Sequence, residues 1–403
     1  MNPLKDKLPI LIVGGGIGGM ATALALSKTG WKVEVFERAA EMKEIGAGIQ
    51  LGPNAFHVFD QLGITSEVSA LASFPENLIA RDSINGDLIT VIPTGSVIKA
   101  RYGHPYGLIH RADLHTILVN ACKRANGIKL HVGTKMVNFD DTGDGVVITM
   151  ENGDQHRGAA LVGADGLWST VRSKLINDGK PRVSGHIAYR AVLPIEDVPA
   201  ANSKNEMTLW SGPKHHLVHY PLRGGKLFNL VAVFHSSRYE EGWDAPGDPK
   251  ELYERFKGTR PEVLGMLEKI DAWRMWVLCD REPIAEWSKG RVTLLGDAAH
   301  PMLQYLAQGA CMAMEDGVCL AGALAKNISI EEAFVDYQRT RYLRTARVQL
   351  TARLYGEVFH ASGASRDLRN NFLKQRSPEQ SLESMSWLYD TSASELRGIG
   401  KSV

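Results

Sequence analysis

The chain has only four cysteines in 403 residues, Cys122, Cys279, Cys311 and Cys319, and none stands at a CxxC or metal-ligand spacing. A chain of this size builds a core without disulfide staples, so these read as reduced thiols of a cytoplasmic protein. No run approaches the ~20 consecutive apolar residues that a membrane helix requires. The apolar stretch from Pro9 breaks into glycines and continues as an amphipathic segment, which reads against a signal peptide. Charge of one sign is also missing: 46 Lys and Arg balance 45 Asp and Glu, spread along the sequence. That excludes the electrostatic footprint of a nucleic-acid or anionic-membrane binder and leaves a small molecule as the expected partner. The 13 histidines form no HExxH pair and no G-x-S-x-G elbow occurs, so neither a metal nor a serine nucleophile is expected.

Glycine is abundant, at 40 residues, as expected where tight turns approach a ligand. Ile10 to Val13 reads as a buried strand, the glycines follow, Met20 to Ser27 has helix-forming composition, and Lys32 to Glu37 reads as a second strand. Strand, glycine turn, helix, strand is the unit of a parallel, Rossmann-like sheet. From Thr170 to Pro283 the character changes. Ile187 to Leu193, Glu206 to Trp210, His215 to Tyr220 and Phe228 to Phe234 are short β-branched and aromatic runs, expected to form a mostly antiparallel sheet. Val292 to Leu295 returns to a buried-strand pattern, followed by a helical stretch through Leu324; Glu331 to about Phe372 is helical by composition, and Ser377 to Glu383 reads as exposed. The expected fold is α/β, with a dinucleotide-binding domain (1–75, 105–180 and 281–345) interleaved with a substrate domain (76–104 and 181–280) and closed by a helical segment (346–403).

Gly14, Gly16 and Gly19 satisfy G-x-G-x-x-G, whose glycines make the tight turn, admit a pyrophosphate and let helix pack on strand. Glu37, followed by Arg38, ends the second strand about 20 residues on, where a carboxylate accepts ribose hydroxyls. NAD and FAD share this fingerprint. Two later apolar strands end at aspartate, in Leu161-Val162-Gly163-Ala164-Asp165-Gly166 and in Leu294-Leu295-Gly296-Asp297-Ala298-Ala299-His300-Pro301, where an Asp can bond sugar hydroxyls beside a glycine that leaves room for the ligand.

These three motifs in this order, with Arg172 after Asp165, resemble the FAD-dependent aromatic hydroxylases, single-component flavoprotein monooxygenases related to para-hydroxybenzoate hydroxylase, over most of the chain. The resemblance implies non-covalent FAD, with Asp297 at its ribityl chain, Asp165 near the pyrophosphate and the nicotinamide approach, and Arg111 beside the flavin chain; a surface arginine at a helix start is the alternative for Arg111. It also implies that Gln308, Gly309 and Ala310 open a helix whose N-H groups face the pyrimidine edge of the ring, where a positive helix end favours the anionic reduced flavin. The implied reaction uses NADH or NADPH and O2, through a flavin C4a-hydroperoxide, to hydroxylate a small phenolic acid.

A base beside the phenol is then expected. Strand alternation puts His216, Val218 and Tyr220 on one face and His215, Leu217 and His219 on the other. His216 is the candidate base because imidazole titrates near working pH, and Tyr220 frames the same ligand; the alternative is a partly exposed strand of solvated histidines. Gln304, where many relatives carry proline, is the candidate for orienting or relaying the phenol proton, against an ordinary loop amide. Tyr106 is a further pocket candidate. Arg190 and backbone amides are equal candidates to anchor a substrate carboxylate. Together His216, Tyr220 and Gln304 resemble the branch that makes gentisate from 3-hydroxybenzoate, with salicylate 1-hydroxylation as runner-up. A non-oxygenating FAD oxidoreductase or an inactive flavin-binding protein is the alternative from another class, and a homodimer is the expected assembly.

Overall fold

Apolar continuity in one part of the chain and alternation in another produce two different sheets. The computed structural model describes residues 8–42, 47–199, 204–237, 243–270, 272–326 and 328–390. Ile10–Val13 is buried at all four positions and lies inside a six-stranded sheet. It pairs in parallel with Val33–Phe36 and Ala160–Gly163; Ile128–His131 and Val292–Leu294 extend the sheet, also in parallel, and Ser288–Lys289 closes it antiparallel. Strands covered on both faces need unbroken apolar side chains, which ILIV and ALVG supply. Helix Ile17–Lys28 is apolar around most of its circumference and packs against helices Arg111–Arg124 and Gly309–Leu324, as a helix with no wet face must.

The second sheet has eight strands, in the order Trp243–Pro246, Arg274–Asp280, Arg182–Pro194, Leu227–His235, His215–Leu222, Met207–Gly212, Asn77–Asp82 and Leu88–Pro93. All its pairings are antiparallel except that of Met207–Gly212 with Asn77–Asp82. A two-stranded ribbon, Gly48–Leu51 with Gly107–His110, and a three-stranded sheet, Met136–Asp141, Val146–Met150 and Gln155–Gly158, complete the strands. The fold is therefore α/β, a Rossmann-like sheet interleaved with an antiparallel one and followed by helices.

The structure sharpens two local expectations. The helical stretch from Glu331 is two helices, Ile330–Phe359 and Gly363–Lys374. The chain leaves the first at His360, whose carbonyl accepts Lys214 N at 3.0 Å, and restarts at Gly363 with φ +54°, a conformation glycine adopts without strain. Ser377 to Glu383 is exposed only in part, at Pro378, Glu379, Gln380 and Glu383. Ser377 caps a short helix, Pro378–Glu383, that buries Ser381 and Leu382, the latter packed with Leu388 and Tyr389. No described helix is long and apolar enough to cross a membrane.

Candidate active site

A cavity of about 1090 Å³ is lined from both large sheets, with the glycine loop at one end and the strand carrying His216 at the other. At the first end the backbone makes the site. Gly14 has φ +111°, and a Cβ there would sit 2.2 Å from the Ala164 carbonyl oxygen; one on Gly19 would sit 2.0 Å from that of Gly14. No other residue fits either position. Gly16 is the N-cap of the Ile17–Lys28 helix, so that helix end faces the cavity. Glu37 accepts the amide of Gly15 at 2.8 Å through one oxygen and that of Ala39 at 2.8 Å through the other, tying the loop to the second strand. Both Glu37 and the exposed Arg38 line the cavity.

In the middle, Asp165 lines the cavity and is held by its own segment. Its carboxylate takes Ser169 Oγ at 2.5 Å, Thr170 N at 2.7 Å and Val171 N at 3.2 Å, because the first N-H groups of helix Thr170–Leu175 have no intrahelical acceptor. Burial raises its pKa, and those bonds oppose the rise. Arg172 is 1% exposed and donates to the carbonyls of Ala298 and Ala299 at 2.9 and 2.7 Å, fixing the segment that holds Asp297. Asp297 itself is an exposed wall residue of the cavity.

Behind it lies a buried charge network. Asp316 accepts Gly296 N at 3.0 Å and contacts His300 Nε2 at 2.6 Å; Arg341 reaches Asp316 at 2.6 Å and Glu315 at 2.7 Å, and Arg344 reaches Glu315 at 2.7 Å. Burial pushes both carboxyls up, but Arg344 and Arg341 hold Glu315 down at about 2, and His300 and Arg341 hold Asp316 at about 2. Gly309 and Ala310 open the Gly309–Leu324 helix and line the cavity. Gln308, the N-cap of that helix, is not among the lining residues: its side chain, 2% exposed, accepts Asn54 Nδ2 at 2.9 Å.

The far end is made of side chains. His216, Val218 and Tyr220 line the cavity. His215 turns away to Ser83 Oγ at 2.9 Å, and His219 Nε2 accepts Trp210 Nε1 at 3.0 Å. His215, His216 and His219 are all buried, so a solvated strand is not what forms. His216 Nδ1 lies 2.7 Å from His360 Nε2. Burial, with His215 and His186 nearby, lowers its pKa to about 3, which corrects the expectation that it titrates near neutrality. Burial raises the Tyr220 phenol, while Arg190 and Gln50 act in the opposite sense. Tyr106 donates to Gln50 Oε1 at 2.5 Å. Gln304 accepts from Arg190 Nη2. Arg190 lies 5.4 Å from the Trp276 ring centroid; its buried Nε has no partner among the described residues, and burial lowers its pKa to about 10. Arg111 lines the cavity as well, with its amide on the Ala47 carbonyl at 3.0 Å.

Sequence reasoning missed Gln50, His360 and the Asn54, Glu315, Asp316, Arg341 and Arg344 network. Only the last left a signal, two adjacent acids inside an otherwise apolar helical run.

The residues fit a flavin dinucleotide. The glycine cradle has no room for Cβ atoms at Gly14 and Gly19, two helix N-termini face the cavity, and the cavity continues from the dinucleotide end to an orphaned guanidinium nitrogen. The family model described as an FAD binding domain matches residues 7–350. A 3-hydroxybenzoate 6-hydroxylase of Polaromonas naphthalenivorans (strain CJ2) is 45% identical over 390 residues, covering 96% of this chain and 97% of that protein. Among solved structures, a salicylate hydroxylase substrate complex is 25% identical with TM-score 0.82, covering 97% of each chain. Klebsiella pneumoniae HpxO complexed with FAD and uric acid shares the fold at TM-score 0.86 and 24% identity, covering 99% of each chain. The chain belongs to the FAD-binding-domain family and is a flavoprotein monooxygenase of the aromatic hydroxylase type.

Proposed function

We propose that the chain hydroxylates 3-hydroxybenzoate para to its hydroxyl group, giving gentisate, with NADH or NADPH and O2 as co-substrates. The observation that carries this reading is the pairing, at one end of the cavity, of a neutral imidazole at His216 with an arginine whose Nε is unpaired, Arg190. A phenolic acid presents one group to each. FAD, when bound, supplies hydride acceptance from the nicotinamide and activation of O2. Gly14, Gly16, Gly19, Glu37 and Arg38 would hold its adenosine half, Asp165, Asp297 and Arg111 its middle, and the amides of Gln308, Gly309 and Ala310 its ring edge.

The chain's own residues do the rest. Arg190 takes the substrate carboxylate through Nε, which is buried without an acceptor among the described residues, and this favours it over backbone amides. His216 takes the phenol proton at Nε2, since Nδ1 is engaged by His360. Gln304, bonded to Arg190, orients the ring between the two. Tyr220 and Tyr106, joined through Gln50, wall the pocket, with phenols that burial keeps neutral. A cytoplasmic homodimer fits this reading, with exposed Leu343, Leu350 and Leu354 on the Ile330–Phe359 helix as the face a second copy would cover.

The test is product analysis of the holoenzyme with NADH and each hydroxybenzoate isomer. Gentisate from 3-hydroxybenzoate is the expected result. Catechol from salicylate, with no gentisate from any isomer, would overturn the reading.

A further inference from the structure

His216 is 3% exposed, so a proton delivered to it cannot leave directly into water. Its hydrogen-bond partner among the described residues is His360, whose Nε2 is 2.7 Å from His216 Nδ1. The other nitrogen of His360, Nδ1, is 3.0 Å from Nε2 of His235. His360 is 4% exposed, whereas His235 ends its strand only half-buried. Three imidazoles therefore form a continuous chain from the cavity wall towards solvent. We propose that His216, His360 and His235 form a proton wire, so that His360 and His235 take part in hydroxylation without touching the substrate. This inference rests on the reading of His216 as the base.

Two arrangements of three N-H protons satisfy both contacts, and the wire works by passing from one to the other. In the receptive arrangement each ring carries hydrogen on Nδ1 and a lone pair on Nε2. The substrate O-H breaks and its proton bonds to His216 Nε2. The Nδ1 proton of His216 passes to His360 Nε2, that of His360 to His235 Nε2, and that of His235 to water. Four X-H bonds break and four form, one proton reaches solvent, no electron moves, and each ring ends with one proton. The relay runs backwards when the product oxygen is reprotonated.

This resolves an otherwise awkward feature of the site. Burial is the main force lowering the pKa values of His216, His360 and His235, and the neighbouring histidines reinforce it for the first two. An imidazolium stored at His216 would be costly, but a relay that exchanges neutral tautomers need not store one. The groups facing the wire are His186 and His215 beside His216 and His360, and Glu357, Lys214 and Arg255 around His235. His186 is anchored separately, its Nδ1 2.5 Å from Tyr305 OH.

His186, His235 and His360 also bring ring nitrogens within 4.8 Å of one another, a grouping that can hold a metal ion. The geometry favours the wire. The contact between His360 and His235 is a hydrogen bond at 3.0 Å, and the chain leads to His216 and the cavity.

The experiment uses FAD-loaded enzyme with 3-hydroxybenzoate and NADH, comparing His216→Gln, His360→Gln, His235→Gln and His235→Ala. His235→Gln keeps a hydrogen-bonding side chain but cannot exchange tautomers. It is expected to lower kcat for product about tenfold, with FAD content and the KM for 3-hydroxybenzoate preserved, and His360→Gln to do at least as much. Free imidazole should restore His235→Ala several-fold, since that end of the wire is accessible; a structural role would show no such rescue. Normal hydroxylation in His360→Gln and His235→Gln, with His216→Gln impaired, removes the wire and leaves the base. Normal hydroxylation in His216→Gln removes both. One equivalent of tightly bound metal in active wild-type enzyme, with activity lost on its chelation, overturns the wire in favour of a metal site.

Discussion

The two ends of the cavity are built differently. At the glycine end, the site is mostly backbone, with Gly14 and Gly19 fixed by the carbonyls of Ala164 and Gly14, about 2 Å from an added Cβ, and Glu37 pinning the loop through main-chain amides. At the histidine end, each contact joins side chains far apart in sequence: His216 to His360 across 144 positions, and Arg190 to Gln304 across 114. The first end depends on backbone geometry and tolerates no Cβ at Gly14 or Gly19. The second needs the whole fold and gains its chemistry from burial.

The same difference sets what the sequence reveals. The strand Ile10–Val13 coincides with its apolar run, and the alternation of His216, Val218 and Tyr220 against His215, Leu217 and His219 is seen in which residues line the cavity. Period and turn chemistry are local, so they are readable. The pKa of His216 is not, because it depends on His186 and His215 and on desolvation that only the folded chain creates. The bonds of Asp165 are hidden for a related reason: the adjoining helix Thr170–Leu175, whose amides it accepts, forms only in the folded chain. The burial of Ser381 was hidden because its polar composition says nothing about Leu382 packing beside it.

The largest effect should come from the network that supports the middle of the cavity. Arg341→Met leaves Glu315 and Asp316 buried without their shared cation, a loss of about 3–5 kcal/mol by the usual cost of breaking a buried pair. Thermal unfolding should shift strongly downward and FAD content should fall with it. The wild-type acid limb probes the same network. Because both folded pKa values are lowered, to about 2 from 4.5 and 3.8, their stabilisation is complete above pH 4.5 and disappears as pH falls towards 2. A flat unfolding free energy across that window would break the contrast, by making the middle of the cavity as insensitive to side-chain charge as the glycine end.

Arg190→Met should act on substrate alone. Loss of a charged hydrogen bond is worth about 1.5–3 kcal/mol, or roughly a 10- to 150-fold rise in the KM for 3-hydroxybenzoate. FAD content and basal NADH oxidation without substrate should stay as in wild type. An unchanged KM would return the carboxylate to backbone amides and make the two ends of the cavity alike.

The smallest effect on binding, and the sharpest on chemistry, belongs to Gln304. Its Oε1 holds the Nη2 edge of Arg190. Gln304→Pro removes that acceptor and leaves the Arg190 fork free to rotate over Trp276, so a substrate held at one group no longer has a fixed angle to the other. KM should change less than threefold, a difference under ~0.7 kcal/mol. Gentisate formed per NADH consumed should drop, because misorientation affects only the step that needs geometry. Gln304→Glu separates orientation from hydrogen bonding, since it keeps an acceptor for Arg190 but adds a charge beside the substrate carboxylate; KM should then rise while coupling in the bound fraction is retained. If Gln304→Pro stays fully coupled, substrate orientation is set by the walls of Tyr106 and Tyr220, and shape rather than polar pairing distinguishes the histidine end of the cavity.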